Sequence, residues 1–343
     1  MSRSFLFAGP DGVGKWAAAL WVAQALLCRE KRDGLPCGEC RDCARVTSCT
    51  HPDLHLLFPL PGGKSQDDDE KPSETKAEEF LDEFLTAKRA DPFAVVRFKK
   101  KPLIKLGRIR ELLTELNRTS VEGGLKVVII YSADQTKDDD CQSVMLKSIE
   151  EPPTGAHFIL TSSSPERLLP TIHSRCQTVR FTPVDPAVIA QRLTTELGMD
   201  AEQARAIGSL CGGGWGNATR LASEENQAWR EVMTEFWNGA FRVRPHELLS
   251  QIEPTFGSGK RKVGFDALMQ AFDVWGYCLW RDCLGLSGAA KSGAMGAPIP
   301  NLETAWACWR ILQNGRSTLY VNVGERHAIA GTFLALRRRL KLS

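Results

Sequence analysis

Apolar residues follow different patterns in the two halves of the chain. In the first half, short apolar runs at residues 4–8, 125–130 and 156–161 end at glycine, proline or polar residues. Continuous runs of this kind are typical of strands buried in a parallel sheet. Residues 104–116 carry leucine and isoleucine at helical spacing. This half therefore predicts an α/β fold with a parallel sheet.

After residue 182 the pattern indicates helices only. Three short helices are predicted at residues 186–197, 200–211 and 216–224, and the remainder carries tryptophan, leucine and alanine at helical spacing. A chain of 343 residues is too long for one small core. We therefore predict three domains: an α/β core at 1–182, a small helical domain at 183–225 and an all-helical domain at 226–343.

The first apolar run leads into a glycine-rich turn and then a helix. The turn, residues 9–16, reads G-P-D-G-V-G-K-W and matches the phosphate-binding pattern G-x-x-x-x-G-K-[ST] except at its last position. Glycines let backbone N–H groups converge on an anion, and the lysine reaches the outer phosphates. The candidate phosphate-binding residues are Gly9, Gly12, Gly14 and Lys15.

Two positions argue against ATP hydrolysis. Trp16 replaces the hydroxyl residue that would bind Mg²⁺, and an indole cannot bind a metal ion. The strand at 125–130 should end in an acidic pair, but Tyr131 and Ser132 follow it. We therefore predict a degenerate site without ATP hydrolysis. Binding of ATP is doubtful but stays open, because Gly14 and Lys15 are present.

Four cysteines follow the first helix closely. Cys28, Cys37, Cys40 and Cys43 have the spacing C-x8-C-x2-C-x2-C, which fits a tetrahedral, structural Zn²⁺ site and differs from ferredoxin spacings. The predicted zinc module covers residues 28–49, with Cys49 and His51 as alternative ligands.

Composition adds three expectations. The net charge of +3 is too small to indicate nucleic-acid binding by itself. No apolar run reaches the roughly 18 residues of a membrane helix, so we expect a cytoplasmic protein. Acidic residues, proline and serine near residues 62–91 predict a flexible insertion, with a short acidic helix at 78–88.

Two further motifs carry a family resemblance. A predicted helix ends in the pattern L-x-x-x-E-E-P-P at residues 146–153, and Ser174-Arg175-Cys176 follows. Together with the phosphate loop and the four cysteines, in this order, the sequence resembles the delta-prime subunits of bacterial clamp loaders. These are AAA+ proteins of the DNA polymerase III holoenzyme.

The resemblance implies a role as well as a fold. The three domains would be an AAA+ core, a helical lid and a collar that assembles subunits into a hetero-oligomer. The partners would be gamma/tau-type ATPase and delta-type subunits, the sliding clamp and, through the assembly, primed DNA. Arg175 would be an arginine finger supplied to a neighbour's ATP, and Ser163 falls near the sensor position. Family members usually have a further segment with a helix before the first strand, whereas this chain starts almost at the strand. This fits a subunit without a working ATP site or a misplaced start codon.

Two alternatives have different consequences. A gamma-type clamp-loader ATPase would hydrolyse ATP as an isolated chain. A zinc-bearing nucleic-acid-binding module with a vestigial AAA+ core would bind DNA tightly and in a salt-dependent manner.

Overall fold

The structure is a computed structural model. It describes residues 3–61, 74–96 and 102–223 apart from 119, 122–123 and 137, then a few positions between 243 and 272, and residues 302–319 and 325–340. The chain divides into two compact units, Met1–Val184 with Gly214–Asn217, and Asp185–Gly213 with Ala218–Ser343. The first unit is α/β, and the second contains only helices in its described part.

The first unit contains a five-stranded sheet in the order β2-β5-β6-β1-β7. Every neighbouring pair in it is parallel. A separate antiparallel pair is formed by β3 and β4. The predicted α/β core with a parallel sheet is therefore confirmed. The strands are β1 Ser4–Ala8, β2 Leu54–Leu57, β3 Leu60–Pro61, β4 Pro102–Leu103, β5 Lys126–Ile130, β6 Ala156–Ser162 and β7 Gln177–Arg180.

Six helices of the first unit connect these strands. Two short 3-10 turns, Ala133–Gln135 and Pro165–Arg167, follow the strands β5 and β6. The helices are α1 Lys15–Leu27, α2 Arg41–Thr47, α3 Glu74–Ala90, α4 Leu106–Leu116, α5 Asp139–Glu150 and α6 Pro170–Arg175.

Both faces of the sheet are buried at β5. All five residues of β5 are buried, and alternation along a strand sends neighbouring side chains to opposite faces. Val128 packs in one apolar cluster with residues of α4 and α5, and Val127 packs in another with residues of α1. Burial on both faces explains why β5 is apolar at every position from Val127 to Ile130 rather than at alternating ones.

Local sequence sets the ends of α5. The Asp138 carboxylate accepts a hydrogen bond from the backbone N–H of Cys141 at 3.0 Å and so caps the first turn. The helix ends at Glu150, shortly before Pro152, which cannot continue it. These two signals define Glu150 as the last residue of α5.

The predicted flexible insertion is only partly described. Residues 62–73 lie outside the described residues. Residues 79–90 belong to α3, which contains the helix predicted at 78–88, and its Phe84 and Lys88 are 2% and 4% exposed. Their spacing of one helical turn places both on one buried face. This helix is also longer than the predicted one.

The second unit begins with the predicted run of short helices. The Asp185 carboxylate caps α7 through the N–H of Ala187 at 2.7 Å, and Gly198 ends the helix with a φ of 64°. The division of the helical region into a lid and a collar stays a prediction. The helices are α7 Pro186–Leu197, α8 Ala201–Leu210, α9 Trp215–Ala222, α10 Leu302–Thr318 and α11 Glu325–Arg339, with the first part of α9 belonging to the first unit.

Candidate functional site

The glycine-rich turn connects the end of β1 to the start of α1. Gly12 and Gly14 have φ values of 78° and 98°, a left-handed conformation that costs glycine little and other residues more. A β-carbon at Gly14 would also lie 2.8 Å from the Phe93 ring. The glycines of the loop therefore adopt conformations that other residues disfavour, and an aromatic side chain lies against the loop.

The Lys15 ammonium turns back onto its own loop. It donates to the carbonyl oxygens of Gly9 and Pro10 at 2.5 and 2.6 Å and to the Ser163 hydroxyl at 3.3 Å. An ammonium has three N–H donors, so all three are used within the protein. The residue is 8% exposed. In this arrangement Lys15 has no donor left for a phosphate.

Two carboxylates compensate the buried charge of Lys15. Asp11 lies 3.8 Å from the ammonium and also accepts a hydrogen bond from Ser163. Burial lowers the pKa of Lys15, while the charges of Asp11 and Asp134 act in the opposite direction. Burial likewise raises the pKa of Asp134, which accepts the backbone N–H of Ser163 at 3.2 Å. Ser163, predicted near the sensor position, is thus part of a closed hydrogen-bonded group around Lys15.

The two residues that break the ATPase pattern contact each other. The rings of Trp16 and Tyr131 lie 5.7 Å apart, edge to face, and Phe58 and Phe84 complete an aromatic cluster around them. Trp16 is 2% exposed, and its indole N–H has no hydrogen-bond partner among the described residues. Side chains fill the place where a hydroxyl and a carboxylate would hold Mg²⁺.

Little open space remains beside the loop. A cavity of about 20 Å³ is lined by Gly14, Lys15, Trp16, Lys88 and Phe93, among others. That volume suits about one water molecule.

The four predicted zinc ligands lie close together. Their sulfur atoms all fall within 4.8 Å of one another. The sulfur of Cys28 lies 3.7 and 3.8 Å from those of Cys37 and Cys40, and Cys37 lies 3.9 Å from Cys43. Tetrahedral zinc with Zn–S bonds of about 2.3 Å requires S···S separations of about 3.8 Å. The cluster therefore has the dimensions of a four-thiolate metal site.

Backbone N–H groups support these sulfur atoms. The N–H of Cys40 donates to the Cys37 sulfur at 3.3 Å, and the N–H of Cys43 donates to the Cys40 sulfur at 3.4 Å. The alternative ligands Cys49 and His51 do not belong to the cluster. The His51 Nδ1 atom instead accepts the N–H of Asp53 at 3.1 Å, and its Nε2 atom lies 3.6 Å from the Asp42 carboxylate. The chain can therefore bind a metal such as zinc through the four cysteines.

Arg175 is the last residue of α6 and is partly exposed. Its guanidinium forms an ion pair with Glu150 and donates to the Ser174 hydroxyl at 3.1 Å. The side chains of Arg175 and Glu150 are 41% and 34% exposed. A phosphate from outside the chain could therefore reach this arginine.

Comparison with known proteins identifies the family. The family model described as DNA polymerase III, delta subunit, matches residues 1–185, more than half of the chain. The chain belongs to the DNA polymerase III delta-subunit family. The matched range includes the phosphate loop, the four cysteines and Arg175, and the predicted family is thereby confirmed.

Individual relatives agree with this assignment. The chain is 34% identical over 193 residues to the DNA polymerase III subunit delta' of Bacillus subtilis, covering 56% of this chain and 46% of that protein. It is 27% identical over 233 residues to the delta' subunit of Escherichia coli, covering 68% and 58%. It is also 26% identical to the tau/gamma subunit of Haemophilus influenzae, covering 56% and 22%. The chain thus spans about half the length of the delta' relatives it matches.

Sequence reasoning missed the contribution of α3 to this family member's loop. Lys88 lies 6.0, 5.7 and 5.3 Å from the ring centres of Trp16, Phe84 and Tyr131. The signal was present, since Phe80, Phe84 and Lys88 recur every four residues.

Within the described ranges no helix is both long and apolar enough to cross a membrane.

Proposed function

We propose that this chain is a delta-prime-like subunit of the DNA polymerase III clamp loader. It would work in the cytoplasm, in a hetero-oligomer with gamma/tau-type ATPase and delta-type subunits, and help to place the sliding clamp onto primed DNA. The observation that carries the proposal is the family match over residues 1–185, joined by delta' relatives at up to 34% identity.

In this role the chain would not hydrolyse ATP itself. Lys15 is satisfied within the protein, Trp16 and Tyr131 replace the metal-binding groups, and the remaining cavity suits about one water. These observations support a degenerate site without ATP hydrolysis. The four cysteines would hold a structural Zn²⁺, which has no open position for catalysis.

Arg175 would contribute to a neighbour's ATP site. A guanidinium keeps its charge at all relevant pH values and offers a planar fork of donors to phosphate oxygens. Supplied in trans, it would stabilise the charge that develops on the transferred phosphoryl group. Its partial exposure at the end of α6 supports this role.

The test is a clamp loader reconstituted from the subunits of the same organism. We expect Arg175→Ala to lower clamp- and DNA-stimulated ATP turnover by about ten-fold or more. Arg167→Ala, at an exposed arginine on the preceding 3-10 turn, is the matched control and should leave turnover unchanged. Normal turnover in an assembled Arg175→Ala complex would refute the arginine finger, and failure of the wild-type chain to assemble would refute the subunit role.

A gamma-type ATPase is the second candidate, because the tau/gamma subunit of Haemophilus influenzae also matches this chain. It predicts ATP turnover by the isolated chain that is lost in Lys15→Ala. Trp16 and Tyr131 argue against it.

A further inference from the structure

A segment that begins in the insertion lies over the degenerate phosphate loop. We call residues 79–96, the described side chains of α3 and of the stretch after it, the covering segment. The ring of Phe93 lies against Gly14, and the Phe93 carbonyl lies against Gly216. The N–H of Gly216 in turn donates to the carbonyl oxygen of Gly12 at 3.2 Å. Phe93 is therefore held between the loop and the start of α9.

The backbone around Phe93 is fixed by local hydrogen bonds. The Asp91 carboxylate accepts the N–H of Phe93 at 2.8 Å, and the Asp91 carbonyl accepts the N–H of Ala94 at 2.9 Å. The Lys88 ammonium donates to the Ala94 carbonyl at 2.5 Å. The end of α3 is thus tied to the turn that carries Phe93.

Lys88 also fastens the covering segment to the aromatic cluster. Its ammonium lies over the rings of Trp16, Phe84 and Tyr131, within the range of cation–π attraction. A buried charge is costly unless it has partners, and here the rings and one carbonyl supply them. Lys88 therefore places a positive charge beside the residues that replaced the Mg²⁺ ligands.

These contacts lie where a phosphate loop would meet its ligand. Backbone N–H groups at the start of the following helix form the anion site of such a loop, and Phe93 lies against Gly14 at that point. We propose that the covering segment is a built-in occupant of the degenerate phosphate loop, in which Phe93 excludes phosphate and Lys88 fastens the segment to the aromatic cluster. This assigns a role to part of the insertion and does not depend on the clamp-loader proposal.

The first test measures thermal unfolding of the full chain with and without inorganic pyrophosphate. The wild-type melting temperature should not change, while that of Phe93→Ala should rise by about 2 °C or more, because removal of the ring opens the loop. Adding Lys15→Ala to Phe93→Ala should weaken the rise, because it removes the positive charge of Lys15 beside the loop, and the control Thr86→Ala, exposed on α3, should behave as wild type. An equal rise in the wild type, or no rise in a folded Phe93→Ala chain, would overturn the proposal.

The second test needs no variant that opens the loop. Amine-specific acetylation followed by peptide mass spectrometry should label Lys88 roughly ten-fold more slowly than the exposed Lys31, because Lys88 reacts only after local opening. Equal labelling of Lys88 and Lys31 in the native wild-type chain would overturn the proposal even if Phe93→Ala does not fold.

Discussion

Glu150, the last residue of α5, forms an ion pair with Arg175, the last residue of α6. Both side chains remain partly exposed, and ion pairs of this kind contribute about 0–1 kcal/mol to stability. The pair therefore holds Arg175 loosely, and an anion that binds the guanidinium more tightly could displace Glu150.

We expect Glu150→Gln to have little effect on stability or on the assembled enzyme. The free energy of unfolding should fall by less than about 1 kcal/mol, and ATP turnover of the reconstituted clamp loader should stay within about two-fold, because phosphate rather than Glu150 is the proposed partner during catalysis. Urea unfolding and steady-state turnover measure the two effects. Glu151→Gln is the matched control. A loss as large as that of Arg175→Ala would mean instead that Glu150 positions the arginine.

Removing one cysteine of the cluster should release the metal. We expect Cys40→Ser to lose its zinc and to lower the free energy of unfolding by about 2 kcal/mol or more, because binding of a structural metal is coupled to folding. Metal analysis of the purified chain and urea unfolding are the measurements. Cys49→Ser, outside the four-sulfur cluster, should keep one zinc. Iron in the wild-type protein, or zinc retained at full occupancy by Cys40→Ser, would contradict the assignment.

Restoring a hydroxyl at position 16 should not restore ATP hydrolysis. Trp16 is buried in the aromatic cluster, so Trp16→Thr should cost about 3–5 kcal/mol of stability, as large-to-small core changes do. Lys15 would remain bonded to Gly9 and Pro10. The same substitution at Trp21, which is 49% exposed on the same helix, should cost far less. Urea unfolding and an ATPase assay test both expectations, and turnover by Trp16→Thr would show that one residue accounts for the loss.

The sequence predicts the fold more completely than it predicts the site. β5 is identifiable because burial on both faces makes it continuously apolar, and the zinc cluster is identifiable because cysteine spacing constrains thiolate geometry. The contact between Lys88 and the aromatic cluster cannot be identified from the sequence, because it joins segments that are far apart along the chain. The acidic, polar sequence around Lys88 also indicates a solvated segment. Only the recurrence of Phe80 and Phe84 indicates a buried face there.

The buried Lys88 should give the chain a specific pH dependence. Desolvation is the main cause that lowers the pKa of Lys88 to about 8; Asp11 and Asp91 oppose the shift, and Lys15 adds to it. In the unfolded chain the pKa of lysine is about 10.4, so between pH 8 and 10 the unfolded state binds more protons and stability rises with pH. The free energy of unfolding of the wild type should therefore rise relative to that of Lys88→Met, by up to about 3 kcal/mol. Because other groups titrate in the same range, the difference between the two chains at each pH is the quantity to measure, by urea unfolding. A difference that is constant from pH 7 to 10 would place Lys88 in solvent, and one that falls as pH rises would mean that its partners outweigh desolvation.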